Sequence, residues 1–161
     1  MDRPTSRGNL PTLAGLLVLP LLAGALGSLA TMSEVRGWYT TLAKPSFNPP
    51  SWVFGPVWTT LYVLMAVSLW LVWRSTAPEA RRTKLVWFAM VGLNAAWSPL
   101  FFGLHRPDLA LADLVLYLGT LVWLVRLLRR QSQLAAWLQL PHLAWVTFAG
   151  ALNAAVWWLN R

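Results

Sequence analysis

Trp58 and Tyr62 stand four residues apart, and Asn94, Trp97, Ser98 and Phe101 form a stripe at three- and four-residue spacing. Trp145, Ala149, Leu152 and Asn153 form another near the C-terminus, with Phe148 beside it. On an α-helix each set shares one face. Flat π surfaces with a few amide and hydroxyl groups among them are what a pocket for a planar, mostly apolar molecule is made of. The same spacing also serves plain interhelical packing, with Asn94 and Asn153 as polar glue. Two titratable residues stand apart from these stripes. Asp113 lies inside an apolar stretch about one turn from the expected helix start, where a structural part is expected: capping backbone donors or reaching the interface. His142 follows Pro141 near an expected membrane interface, which suits a polar anchor better than a metal ligand.

Ordinary soluble catalysis finds no apparatus here. The chain lacks GxGxxG, P-loop and HExxH patterns and has no pair of carboxylates within one apolar stretch. It has no cysteine, which excludes disulfides, thiolate metal sites and thiol chemistry. No metal site is expected. Twelve tryptophans is a high count, and those at 52, 73, 87, 123, 137, 157 and 158 fall near expected helix ends or on unassigned faces. Headgroup-level anchoring is the reading for these.

The elements that must carry the stripes follow from hydropathy. Of the 161 residues 57% are hydrophobic and only 11% charged, against about a quarter charged in soluble domains. No Asp, Glu, Lys or Arg interrupts Gly8 to Ser33, Pro45 to Trp73, Leu85 to Leu104 or Gln131 to Asn160, and Asp113 alone interrupts Leu109 to Val125. About 20 apolar residues span a bilayer core as a helix. A chain of this size has no interior in which to hide five such segments. The expectation is an all-α membrane protein, a single domain over residues 1–161 built as a bundle of five transmembrane helices at about 11–32, 51–73, 85–104, 109–128 and 134–159. The first is read as a retained helix rather than a cleaved signal. Its Ala23/Gly27 and Gly24/Ser28 pairs allow close packing, and Pro20 and Pro141 are expected kinks. Residues 33–50, with prolines 45, 49 and 50 beside Trp38, Tyr39 and Phe47, form either an interfacial aromatic belt or a lid.

The net charge of +8 does not point to nucleic acid, because the basic residues sit in short connections rather than along one stripe. With five spans, Arg3, Arg7, Arg74, Arg81, Arg82, Lys84, Arg126, Arg129 and Arg130 share one side, and Arg36, Lys44, Arg106 and Arg161 the other. That imbalance predicts a cytoplasmic N-terminus.

The stretches WYTTLAKPSFNPPSWVFGPVWTTLYVLM, LNAAWSPLFFG and PHLAWVTFAGALNAAVWWLN resemble the translocator protein / tryptophan-rich sensory protein family, whose mitochondrial members are known as peripheral-type benzodiazepine receptors. The resemblance implies a five-helix bundle, commonly a homodimer, that binds tetrapyrroles such as protoporphyrin IX or heme as ligands rather than cofactors. It also implies sterols and synthetic benzodiazepine-site ligands as binders, membrane lipid as the surrounding partner, and a bacterial cell membrane as the location. The loop at 33–50 then covers the pocket, with Tyr39 and Pro49 at its border. Trp58, Tyr62, Asn94, Trp97, Ser98 and Phe101 line it, and Trp145, Phe148 and Ala149 complete the wall. Trp58 and Trp145 match the tryptophans tied to light-dependent porphyrin breakdown, the alternative enzymatic reading. Two departures stand out. His142 replaces a usual tyrosine, and the C-terminal ALNAAVWWLNR has no tyrosine for the sterol motif of animal members.

Overall fold

The computed structural model describes residues 7–161; Arg3 of the charge tally lies outside them. Among the described residues the regular structure is all helical: α1 (Leu10–Arg36), α2 (Trp38–Thr41), α3 (Phe54–Val72), α4 (Ala80–Ser98), α5 (Pro107–Arg129), α6 (Gln133–Trp137) and α7 (Leu140–Leu159). A single 3-10 turn at Ser51–Val53 leads into α3, and a π-type turn at Pro99–Gly103 ends α4. This is an all-α membrane protein. Four helical stretches are long and apolar enough to cross a bilayer: Leu10–Leu29, Ser51–Val72, Ala80–Gly103 and Pro107–Arg129. The fifth expected span, α7, has 20 residues, with His142, Asn153 and three indoles among them, and is not one of these four stretches.

Local chemistry sets most boundaries. Asn9 caps α1 by accepting from the Thr12 amide at 3.0 Å, and the helix runs unbroken through Pro20 to Arg36. α4 starts at Ala80 and not near Leu85, so Arg81, Arg82 and Lys84 belong to its first turns. There Thr83 turns inward while the two arginines stay exposed, and the Lys84 Nζ sits 4.5 Å over the Trp73 ring. α5 begins at Pro107, where the missing amide of proline costs no helical bond. The single helix expected over 134–159 is two. Ser132 caps the short α6, and Pro141 lies in the first turn of α7, so it starts that helix instead of kinking a longer one.

α4 packs along α5, α5 along α7 and α1 along α3. The shared core holds Met65, Ala66, Trp87, Met90, Leu121 and Leu124, all fully buried. Trp87 is therefore no headgroup anchor: its Nε1 donates to the Met65 carbonyl at 3.1 Å inside the bundle. Trp52, Trp123, Trp137, Trp157 and Trp158 are exposed, and Trp73 is half-buried. The α1–α3 contact needs Gly24, whereas Gly27 of α1 faces Ser98 of α4 at an ordinary contact distance. A Cβ on Gly24 would fall 2.6 Å from the Tyr62 ring, and one on Gly27 would fall 3.5 Å from Ser98.

Candidate functional site

The residues that the sequence marks gather in three adjoining groups. In the first, Trp58 and Tyr62 project from α3 with ring centroids 5.5 Å apart. The Tyr62 hydroxyl donates to Asn94 Oδ1 on α4 at 2.9 Å, joining two of the expected wall helices. Behind them runs a buried polar chain with little signal in the residue pattern. Tyr117 bonds His142 Nε2 at 2.6 Å, His142 Nδ1 bonds Gln139 Oε1 at 3.1 Å, and Gln139 Nε2 reaches Ser68. An amide oxygen only accepts, so Nδ1 carries the imidazole proton and Nε2 accepts from the tyrosine. The Trp58 ring meets the His142 ring edge-on at 6.1 Å.

His142 is thus not an interfacial anchor. It is fully buried, both ring nitrogens are engaged, and neither is free to ligate a metal. Among the described residues no three His, Cys, Asp or Glu side chains gather around a metal-sized point.

The second group lies under the loop. Trp97 Nε1 donates to Asn153 Oδ1 at 3.0 Å, and the Asn153 amide donates to the Pro107 carbonyl at 2.7 Å. This bond brings two expected inward stripes together and ties both to the start of α5. Trp97 stacks on the buried Phe101 at 5.0 Å. Phe101 in turn meets Trp38 at 5.7 Å and Tyr39 at 6.1 Å, both edge-on. The π-type turn, with its extra residue per turn, carries Phe101 and Phe102 to the loop, and Tyr39 touches Phe102 as well. The Tyr39 hydroxyl donates to Asn48 Oδ1, and burial pushes its pKa above the ordinary tyrosine value. Lys44 Nζ lies 4.7 Å over the Tyr39 ring. Asn160, at the end of α7, exchanges two bonds of 2.9 Å with the Ala43 backbone. Residues 37–50 therefore rest on the bundle end through side chains rather than floating as a belt. Pro49 sits within this loop, its carbonyl accepting from Asn48 at 3.2 Å.

In the third group, an open groove of about 470 Å³ separates α3 from α7, with Pro56, Val57, Leu61, Ala144, Trp145 and Phe148 among its walls. Trp145 meets Phe54 at 5.7 Å and Phe148 at 5.4 Å. Its Nε1 is buried with no hydrogen-bond partner among the described residues. A buried donor without a partner is costly, and the same indole also lines the groove. Ser98 packs toward α1, and Ala149 is half-buried on α7.

Asp113 does not cap its helix. α5 starts at Pro107, so Asp108 takes the first turn. Asp113 is buried further along, and its Oδ2 has no partner among the described residues. Tyr117, Gln139, Asn160 and Phe102 were missed from the sequence. The visible signals were Tyr117 one turn beyond Asp113, and Gln139 three residues before His142.

These geometries meet the family comparison. Residues 16–159 match the model of the TspO/MBR family. The chain belongs to the TspO/MBR family. It is 38% identical to the tryptophan-rich protein TspO of Archaeoglobus fulgidus, over 94% of this chain and 99% of that one. It is also 38% identical to the human translocator protein, over 89% of this chain and 86% of that relative. Protein CrtK of Rhodobacter capsulatus matches at 38%, covering 86% of each chain. Family membership and the apolar helices together make the chain an integral membrane protein.

Proposed function

We propose that this family member binds a planar tetrapyrrole, protoporphyrin IX or heme, and senses or moves it within the membrane. The observation that carries the reading is the apolar groove that Trp145 and Phe148 line, together with a Trp145 N–H that has no partner among the described residues. Acyl chains offer no acceptor to it, whereas the carboxylates of a tetrapyrrole do. Trp58 and Tyr62 lie inward of that wall and offer stacking faces. Lys44, and Arg36 at the end of α1, stand at the covered end, where propionates would meet cations. The loop at 33–50 then acts as the cover. A homodimer in a bacterial cell membrane completes the proposal, and the uneven spread of basic residues supports a cytoplasmic N-terminus.

The test is titration of the purified protein with protoporphyrin IX in the dark, read by tryptophan quenching, and then under illumination. Saturable binding in the dark with no new product supports a binder. A product absorbing only after illumination supports light-dependent degradation through Trp58 and Trp145 instead. Absence of saturation removes the tetrapyrrole reading.

A further inference from the structure

The chain has three tyrosines, and the partners of their hydroxyls set one apart. Tyr39 donates to the side-chain amide of Asn48 at 3.1 Å, and Tyr62 to that of Asn94 at 2.9 Å. Tyr117 donates to the imidazole of His142 at 2.6 Å. An amide oxygen accepts a hydrogen bond and leaves the proton where it is, whereas the free nitrogen of a neutral imidazole can take it. A phenol that loses an electron becomes a strong acid and settles as a neutral radical once a base removes its proton. Tyr117 is 1% exposed, away from bulk solvent, so its base has to be a side chain. His142 is that base.

An electron acceptor stands beside the pair. The Trp58 ring meets the His142 ring edge-on at 6.1 Å, and the Tyr117 ring meets the same imidazole at 5.5 Å. We propose that Tyr117 and His142 form a proton-coupled redox pair that takes an oxidising equivalent from Trp58. The pair rests on the proposed function for its oxidant, a light-excited tetrapyrrole against the indole.

The steps balance. The excited tetrapyrrole removes one electron from Trp58 and is itself reduced by one, leaving an indole radical cation. One electron then passes from Tyr117 to Trp58, which restores the indole. The Tyr117 O–H bond breaks as an N–H bond forms at His142 Nε2. A neutral tyrosyl radical and an imidazolium result, with one electron and one proton moved. When the reduced tetrapyrrole gives its electron back to the tyrosyl oxygen, the proton returns from Nε2. The imidazolium is held while it lasts. Its Nδ1–H donates to Gln139 Oε1 at 3.1 Å, and Gln139 is fixed in turn on Ser68. A charged donor strengthens such a bond, which offsets part of the cost of a buried cation.

Proximity alone does not choose the site. Tyr62 lies 5.5 Å from Trp58, yet its Asn94 partner takes no proton. The oxidising equivalent therefore leaves the indole for the interior at Tyr117, and Trp58 is spared further oxidation.

The test supplies the oxidant without a tetrapyrrole. Azide radicals, small neutral one-electron oxidants that prefer indole to phenol, are made by pulse radiolysis around the full ligand-free chain in mixed micelles. Transient absorption follows the tryptophan and tyrosine radicals. The expected result is a tyrosyl signal that grows as part of the tryptophan signal decays, in the parent and in Tyr62→Phe. That growth is lost in Trp58→Phe, in Tyr117→Phe and in His142→Gln, where an amide still accepts from the hydroxyl but takes no proton. Growth retained in any of these three variants, or absent from the parent, overturns the pair. Because no tetrapyrrole takes part, the result is independent of whether the chain binds one; failure of protoporphyrin IX to bind removes the oxidant named here and leaves the pair standing.

Discussion

Removing the Tyr117 hydroxyl is the sharpest perturbation of the interior. Tyr117→Phe deletes one atom from a residue 1% exposed, so no cavity of consequence forms. His142 keeps its bond to Gln139 and loses the 2.6 Å bond to Tyr117. An orphaned buried acceptor costs about 1–3 kcal/mol in soluble proteins, and measured side-chain bonds within membranes average about 0.6 kcal/mol. The expected loss is about 1 kcal/mol. His142→Phe strands both the Tyr117 hydroxyl and the Gln139 carbonyl oxygen, so about 2–4 kcal/mol is expected. The double variant removes donor and acceptor together and loses less than the sum, with a coupling of about 0.5–2 kcal/mol. Unfolding of all four proteins in mixed micelles, followed by circular dichroism, gives the cycle. Strict additivity would refute the polar chain, as would a His142→Phe variant as stable as the parent.

Three further outcomes are expected. Gly24→Leu drives a side chain into space that the Tyr62 ring occupies, with a clash beginning at 2.6 Å; melting temperature falls by the equivalent of about 1–3 kcal/mol for overpacking, whereas Gly15→Leu, with nothing near its Cβ position, leaves it unchanged. Asp113→Asn leaves thermal stability at or above the parent value, because Oδ2 has no partner to lose, and a marked fall would show that the carboxylate has structural work. Burial raises the Tyr39 pKa, so its contribution to stability is complete below the unfolded tyrosine value of about 10 and disappears as pH rises through the higher folded value; comparison with Tyr39→Phe by phenolate absorbance should show Tyr39 ionising later in the folded chain than in the unfolded one.

The sequence showed the helices more clearly than the contacts between them. Lipid leaves backbone groups no partner outside the helix, so long uncharged stretches declared themselves, and the inward stripes held where an amide marked the face. Asn94 meets Tyr62 and Asn153 meets Trp97 as that logic requires. Boundaries set by single residues were harder to read. Arg81 and Arg82 read as loop because charge ends an apolar run, yet on the helix Thr83 faces inward between Arg82 and Lys84. Gln139 drew no reading and His142 read as an interfacial polar anchor, because their partners Ser68 and Tyr117 lie 71 and 25 positions away. Trp87 was misplaced for the same reason: its indole proton is satisfied by the Met65 carbonyl of another helix.

The most direct test of a tetrapyrrole held against Trp145 is the protoporphyrin IX affinity of Trp145→Phe in the dark, set beside Trp137→Phe, whose indole is 60% exposed and away from the groove. Loss of the unspent N–H removes one hydrogen bond to the ligand, about 0.5–1.5 kcal/mol, and the account predicts a Kd raised about two- to tenfold in Trp145→Phe and unchanged in Trp137→Phe. Equal affinity in the parent and both variants, or an equal loss in both variants, would contradict it.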